Sequence, residues 1–290
     1  MQNSERPFFS VIMTTFNAES TLERALDSIV SQTFRDIELI IVDGMSSDGT
    51  VTILDRYSSS ISKYIREPDK GVYDAMNKGI DASSGEWLYF LGADDWLFST
   101  SVLEEVFRRV QTIADPLVYG NVKIVGDAKW ARDGSVYDGE FDVSKLFKKN
   151  ICHQCIFYSR RLFEEFGRFN INYKVCADWD FNHRCIAKVT SMYIDQIVAN
   201  FSGGGSSSGG RGDQYSKNDS VLKLKEYYDI KFTDRLFSTY SNAFVSNFHR
   251  SVSRGELVSA LRFLFLSLFH SKRKLSTVRR IIKGGLPDRA

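Results

Sequence analysis

The sequence predicts an α/β protein built on a mostly parallel central sheet, and three observations carry that expectation. Short, near-continuous apolar runs alternate with helical stripes through the first hundred residues. Strands that read as unbroken apolar runs are buried on both faces, and alternation with helices makes them parallel. Small, polar or acidic residues stand directly after each run, where an open parallel sheet binds its ligands.

Taken in order, "FFSVIMTT" (8–15) predicts the first strand. Residues 19–31 carry apolar side chains at 22, 25, 26, 29 and 30, a helical face. "IELIIVDG" (37–44) is the second strand, and "MSSDGT" is a turn leading into a helix over 50–57. "ISKYIRE" (61–67) predicts a strand, 72–82 a helix, and "EWLYFLG" (86–92) a strand. A helix over 99–113 has Ser99 or Thr100 as its cap. After Pro116 the rhythm changes. "LVYGNVKIVG" and "KWARDGSVYDG" predict longer strands and a hairpin, followed by a helix near 143–149, a strand "CIFYS" and a helix near 176–187. "SGGGSSSGGRG" (202–212) reads as a loop, a lid through 201–205 and a linker beyond it. The remainder reads as helical. The expected division is a catalytic domain over 1–205 and a loop with a basic helical tail over 206–290.

The chain has 290 residues, 43% of them apolar and 26% charged, with a net charge of +2. That composition is globular, and its overall balance points to no nucleic-acid partner. The charge is uneven: beyond His249 there are ten Lys or Arg against two acids, so a mildly acidic body carries a basic tail. The N-terminal "MQNSERPFFS" lacks a secretory pattern, and four cysteines do not make a disulfide scaffold. A cytoplasmic location is expected. The densest apolar run, "ALRFLFLSLF" (260–269), is ten residues long and includes an Arg, whereas a membrane span needs about 20 apolar residues.

The strand ends "TTFN", "VDGMSSDGT", "REPDKG" and "GADDW" place Asp43, Asp48, Asp69, Asp94 and Asp95 on one rim. Each has a plain reading alone: a turn or cap for Asp43 and Asp48, a common turn for "PDKG", a solvated loop for the Asp94–Asp95 pair. Together they create a charge problem that a divalent cation and a polar ligand would solve. Neither G-x-G-x-x-G after the first strand nor G-x-x-x-x-G-K-[ST] occurs, so a dinucleotide site and a P-loop are not expected. A nucleotide held without a glycine cradle needs another counter-charge, and a carboxylate-held metal supplies one.

Together, "SVIMTTFNAESTLERALDSIVSQTF", "IELIIVDGMSSDGT", "REPDKGVYDAMNKGI", "GEWLYFLGADDW" and "ICHQCIFYSRRLFEEFGRFN" resemble a family 2 glycosyltransferase of the GT-A fold. The bacterial branch that builds O-antigen, lipopolysaccharide and exopolysaccharide units is the nearest resemblance. It implies an inverting transfer from a nucleotide-diphosphate sugar, UDP-linked, assisted by Mg²⁺ or Mn²⁺. By that resemblance Thr15, Phe16 and Asn17 line the nucleoside pocket, Asp43 accepts the N–H of the base, and Lys70 lies near the phosphates. "GADD" takes the place of an Asp-x-Asp metal motif. Gly92 departs from it, which leaves Asp94 to bind the ion and Asp95 to support the site or the sugar. One carboxylate plus phosphates and water is ordinary ligation for Mg²⁺.

"CADWDF" resembles the family's acidic motif at a helix start, with Asp178 as general base and Ala177 where Glu is common. The competing reading of Asp178 is an N-cap. His153, in "CHQC", is either a contact to the diphosphate or acceptor or a structural residue. A Cys₄ zinc site is not expected, because Cys176 and Cys185 are nine apart. The tail's alternation of apolar and basic blocks suits a helix lying at a membrane surface, or else packing on protein. The surface reading places the protein peripherally on the inner face of the cytoplasmic membrane, with a polyprenyl-diphosphate-linked saccharide as acceptor. The alternative function is a catalytically silent nucleotide-sugar-binding module, since Gly92 and Ala177 stand where acids are expected.

Overall fold

The computed structural model describes residues 6–126, 128, 130–203 and 226–228. The chain divides into two compact units: Met1–Asp142 with Lys149–Arg211, and Val143–Lys148 with Gly212–Ala290.

In the first unit β1 (Phe9–Thr15) forms from an apolar run that is buried almost throughout. α1 (Leu22–Val30) buries Leu22, Ala25, Leu26 and Ile29, the face its spacing predicts. It starts three residues late because Thr21 and Leu22 donate their N–H groups to the Ala18 carbonyl, a turn outside the helix. β2 (Ile37–Asp43), α2 (Thr50–Arg56), β3 (Lys63–Arg66), α3 (Val72–Ala82) and β4 (Trp87–Gly92) follow as the alternation predicts. β5 (Trp96–Leu97) and α4 (Val102–Val110) complete this half.

Beyond it come β6 (Leu117–Val125), β7 (Val136–Tyr137), β8 (Ile156–Ser159), α6 (Arg160–Phe166), α7 (Ala177–Ile186) and β9 (Ser191–Ser202). The segment "KWARDGSVYDG" supplies only the two residues of β7, which pair antiparallel with β6; the hairpin is there but its second strand is short. α6 and the twelve-residue β9 have no counterpart in the sequence reading.

Among the described residues all nine strands belong to one sheet, in the order β3-β2-β1-β4-β8-β6-β9-β5, with β7 on the side of β6. β3, β2, β1 and β4 are parallel. β8 runs antiparallel to both β4 and β6, and β9 runs parallel to β6. These directions build the rim. The ends of β1, β2, β3, β4, β6 and β9 all reach the same edge, and so does the beginning of β8. The turn His153–Cys155, just ahead of β8, therefore joins the strand ends.

An aromatic core holds the helix that completes the site. Phe163 of α6 and Phe181 of α7 stack with ring centres 4.4 Å apart, and Phe90, Tyr158 and Phe169 pack around them edge-on. All five are buried, a large apolar area anchoring α7 to the sheet. Among the described residues no helix is long and apolar enough to cross a membrane.

In the second unit the described residues include α5 (Val143–Leu146), and Phe147 packs edge-to-face on Tyr228 at 5.4 Å. Residues 226–228 are helical. The rest of the expected Gly/Ser loop and basic tail lies outside the described residues.

Candidate active site

A cleft of about 510 Å³ opens at the ends of β1 and β4. Thr15, Phe16 and Asn17 form one wall. The Thr15 hydroxyl is buried and has no hydrogen-bond partner among the described residues, which leaves a polar group for a ligand to satisfy. Phe16 is 64% exposed, an unusual position for a ring of this size. Asn17 sits at φ +49°, a left-handed conformation that its short polar side chain tolerates. Its N–H donates to Ser46 Oγ at 2.8 Å and its Oδ1 accepts from the Ser47 N–H at 2.9 Å. The loop after β1 is thereby tied to the loop after β2.

Asp43 is fully buried at the end of β2 and does not line this cleft. Its carboxylate accepts from the Ser46 N–H at 3.1 Å, from the Ser46 hydroxyl, and from Arg66 Nε at 3.2 Å. Asp48 accepts from the N–H groups of Thr50 and Glu19, both at 3.1 Å, which is the turn role expected of it. Lys70 is exposed and also stands off the cleft; Asp69 and Lys174 reach it. Lys174 Nζ donates to the Lys70 carbonyl at 2.9 Å, so the lysine on the cleft wall is the one beyond the reach of the strand-end reading.

Asp94 and Asp95 have different surroundings. Asp95 is 2% exposed, with Oδ2 accepting from Gln154 Nε2 at 2.7 Å and Oδ1 from the Ser202 N–H at 2.8 Å. Burial, followed by the neighbouring Asp94 charge, pushes its carboxyl up to about 7. Asp94 is half-buried on the cleft floor, and its carboxylate has no hydrogen bond or ion pair among the described residues. Its backbone is fixed instead: Arg24 Nη2 donates to the Asp94 carbonyl at 3.0 Å while the guanidinium covers the Trp96 ring at 3.6 Å.

Gly92 explains how the two acids converge. A β-carbon there would lie 2.8 Å from Asp94 Oδ1 and 2.9 Å from Asp95 Oδ2. Both carboxylates fold back over the glycine, so any side chain at that position would have to displace one of them. The donor set fits a hard divalent cation that takes most of its oxygens from a ligand. Asp94 supplies one unengaged carboxylate with Asp95 behind it, and no group of three His, Cys, Asp or Glu forms a protein cage among the described residues.

A second cavity, of about 190 Å³, adjoins the cleft. The two share Tyr73, His153, Gln154, Val175 and Phe201 as walls. Asp178 lines the second cavity and is 6% exposed. It is the second residue of α7, whose N-cap is Cys176, so the N-cap reading of Asp178 does not hold; its Oδ1 accepts from the adjacent Trp179 N–H at 2.9 Å. The same oxygen accepts from the Tyr73 hydroxyl at 2.7 Å, and Oδ2 accepts from Asn150 Nδ2 at 2.8 Å. His153 Nδ1 lies 3.6 Å from Oδ2. Asn150 is held by Asn182, which is held by Tyr158, in a buried chain of 2.9 and 2.8 Å bonds. A carboxylate offers about four acceptor positions, and these bonds leave room for one more.

None of the four cysteines is in a disulfide. Burial pushes the thiols of Cys152, Cys155 and Cys185 far up, which keeps them protonated.

The structure thus gathers Thr15, Phe16, Asn17, Asp94, Asp95 and His153 on one cleft and sets Asp178 in the adjoining cavity, with His153 common to both. Asp43 and Lys70 are not brought to either. Tyr73, Asn150 and Gln154, which orient the acids, escaped the sequence reading. Tyr73 sits on the buried face of a helix, where an aromatic residue signals core, and the "HQ" ahead of β8 was the one available hint of Gln154.

Residues 10–167 match the model of glycosyl transferase family 2. A PGL/p-HBAD biosynthesis glycosyltransferase from Mycobacterium bovis is 41% identical over 203 residues, covering 67% of this chain and 77% of that protein. An uncharacterized glycosyltransferase of Mycobacterium tuberculosis is 28% identical over 201 residues, 67% of this chain and 75% of its own. Among solved structures, S. aureus TarS in complex with UDP-GlcNAc superposes with a TM-score of 0.71 at 14% identity, over 96% of this chain and 89% of that one. A longer TarS chain gives 0.62 at 17% identity over 85% of this chain, which spans 44% of that protein. These likenesses show an α/β fold similar to the GT-A glycosyltransferases. With its family model matched over more than half its length, and a relative this similar, the chain belongs to glycosyl transferase family 2.

Proposed function

We propose that this chain moves a hexosyl-type sugar from a nucleotide-diphosphate sugar to an acceptor hydroxyl in one inverting displacement. The observation that carries the reading is the unengaged Asp94 carboxylate on the cleft floor, one shared wall away from the cavity of Asp178. Phe16 offers a face to the nucleoside base, and the orphaned Thr15 hydroxyl offers it a hydrogen bond. TarS carries UDP-GlcNAc in its complex, and a Pyrobaculum calidifontis mannosyltransferase of TM-score 0.52 carries GDP-Man and Mn²⁺. These support a nucleotide-sugar donor and a divalent metal, and UDP is the nucleotide we assign.

Asp94, backed by Asp95, would hold the metal. That ion supplies neutralisation of the charge that grows on the leaving diphosphate. Arg24 keeps the Asp94 loop in place. Asp178 takes the acceptor proton as the acceptor oxygen bonds to the anomeric carbon from the face opposite the diphosphate. The bond from that carbon to the diphosphate oxygen breaks, and the nucleoside diphosphate departs with the electron pair. Tyr73 and Asn150 hold the Asp178 carboxylate for this transfer. The acceptor hydroxyl belongs to a lipid-linked saccharide of bacterial surface polysaccharide synthesis, met at the inner face of the cytoplasmic membrane. The basic tail sequence and the family resemblance support this setting.

The test is release of UDP from UDP-sugars together with donor titration. Asp178→Asn should keep donor binding and lose transfer by about 10²–10⁴-fold, the usual worth of a positioned base. Asp94→Asn should lose metal-dependent donor binding. Full activity in both variants would remove the assignment.

A further inference from the structure

We infer that the 190 Å³ cavity is the acceptor pocket and that it takes one pyranose ring by its C–H face, on a shelf of Trp130, Tyr137 and Phe201. The inference rests on the transferase reading above and deepens it.

The chemistry of the lining carries it. Trp130 stands edge-on to Tyr137 at 5.0 Å and to Phe201 at 5.3 Å, so the three rings form one continuous surface. Trp130 is 43% exposed, although two aromatic neighbours stand ready to cover it. Polar groups line the same cavity: Asp178 with acceptor capacity left, Asn150 with one amide hydrogen unspent, and His153. An aromatic shelf bordered by a few placed hydrogen-bonding groups suits a ligand with one apolar face and a polar edge. A sugar ring has that character, with C–H groups on a face and hydroxyls around its rim. A ring seated so would present a hydroxyl to Asp178 beside the wall shared with the donor cleft.

The shelf is also well held. Tyr137 donates its hydroxyl to the Asn150 carbonyl at 2.7 Å, joining the shelf to the residue that positions Asp178. Trp130 and Tyr137 come from the connection after β6 and from β7, whereas Phe16, Asp94 and Asp95 come from other strand ends. The hairpin therefore selects the acceptor without touching the donor.

Saturation-transfer NMR on the full chain with UDP and diamagnetic Mg²⁺ tests this, using methyl α-D-glucopyranoside, methyl α-D-mannopyranoside, methyl β-D-galactopyranoside and phenol as probes. At least one methyl pyranoside should bind, with the strongest transfer to the C–H protons of one ring face. Trp130→Ala should weaken that binding about tenfold, the scale of an aromatic contact, with the Kd for UDP unchanged. Trp130→Tyr should restore most of it. Because Trp130 lies on an exposed turn, unchanged UDP binding also certifies the fold. Phenol binding in place of every pyranoside would overturn the sugar assignment. So would equal pyranoside binding by the wild type and Trp130→Ala, or no pyranoside binding to a chain that binds UDP. The readout needs no turnover, so failure of the transferase reading would show separately, as UDP and pyranoside binding with no transfer.

Discussion

Tyr73 and Asp178, 105 residues apart in sequence, are joined by a hydrogen bond of 2.7 Å. The phenol is also 2.7 Å from the Val175 carbonyl, so its single proton is divided between two acceptors just ahead of and within α7. Burial, and then the Asp178 charge, raises the Tyr73 hydroxyl well above its usual range, so it stays a donor. α3, on the donor side, thereby sets the orientation of the base. Tyr73→Phe keeps the ring and removes the bond. A hydrogen bond to a charged group is worth about 1.5–3 kcal/mol, so kcat should fall about 10- to 100-fold. UDP affinity should hold, and steady-state kinetics beside a UDP titration will separate the two.

Phe16 and Thr15 make a second prediction, about the nucleoside. The Phe16 ring projects from the loop after β1 with 64% of its surface open, and Gly44 passes beneath one edge of it. Stacking of a base on an aromatic side chain is worth about 1–3 kcal/mol by alanine substitution. Phe16→Ala should therefore raise the Kd for UDP about 5- to 150-fold by calorimetry. An exposed ring contributes little to the core, so the melting temperature should stay put.

Gly92 gives a third. Asp95 is anchored on both oxygens by Gln154 and Ser202, and Asp94 is not anchored at its carboxylate. The methyl of Gly92→Ala would meet both, and the unanchored Asp94 is the one that yields. The expected result is UDP binding several-fold weaker in Mn²⁺, and unchanged in EDTA. Equal binding in Mn²⁺ would mean that Asp94 does not hold the ion.

The first half of the fold was legible because β1, β2 and β4 are apolar runs buried on both faces, and because α1 carries an unbroken stripe. β9 was not, since Asp195 and Gln196 interrupt it where its register with β6 shifts around Gly120. α6 was hidden because β8 passes into it at Ser159–Arg160 with no turn residue between them. At the site, the acids were legible as strand-end residues. Their partners were not, because Tyr73, Asn150 and Gln154 reach Asp178 and Asp95 from 28 to 105 residues away, and no local spacing encodes that. Asp43 illustrates the limit: a strand-end position foretold the rim, but its carboxylate is engaged by Ser46 and Arg66.

Glu38 yields a prediction about stability alone. It lies near the start of β2, level with Ser10 of β1, at the sheet edge opposite the cleft. Its side chain is almost fully buried, and Oε1 accepts from Ser10 Oγ at 2.6 Å, the Ser84 N–H at 2.5 Å, Ser84 Oγ at 3.0 Å and the Gly85 N–H at 3.0 Å. Burial alone would raise its pKa, but the donors from Ser10, Ser84 and Gly85 outweigh it and hold the carboxyl below its usual 4.5. A lowered folded-state value means that the stability it contributes is complete above the unfolded value and is lost as pH falls through the folded one. Glu38→Gln keeps an acceptor oxygen and removes the charge that strengthens these bonds. Urea unfolding near neutral pH should show a loss of about 1–2 kcal/mol. The gap between variant and wild type should close as pH drops below 4.5, because protonation strips the wild type of the same charge. Transfer activity should not change, since Glu38 lies at the starts of the parallel strands and Asp94 beyond their ends; a gap that persisted at low pH would mean that shape, and not charge, is what Glu38 contributes.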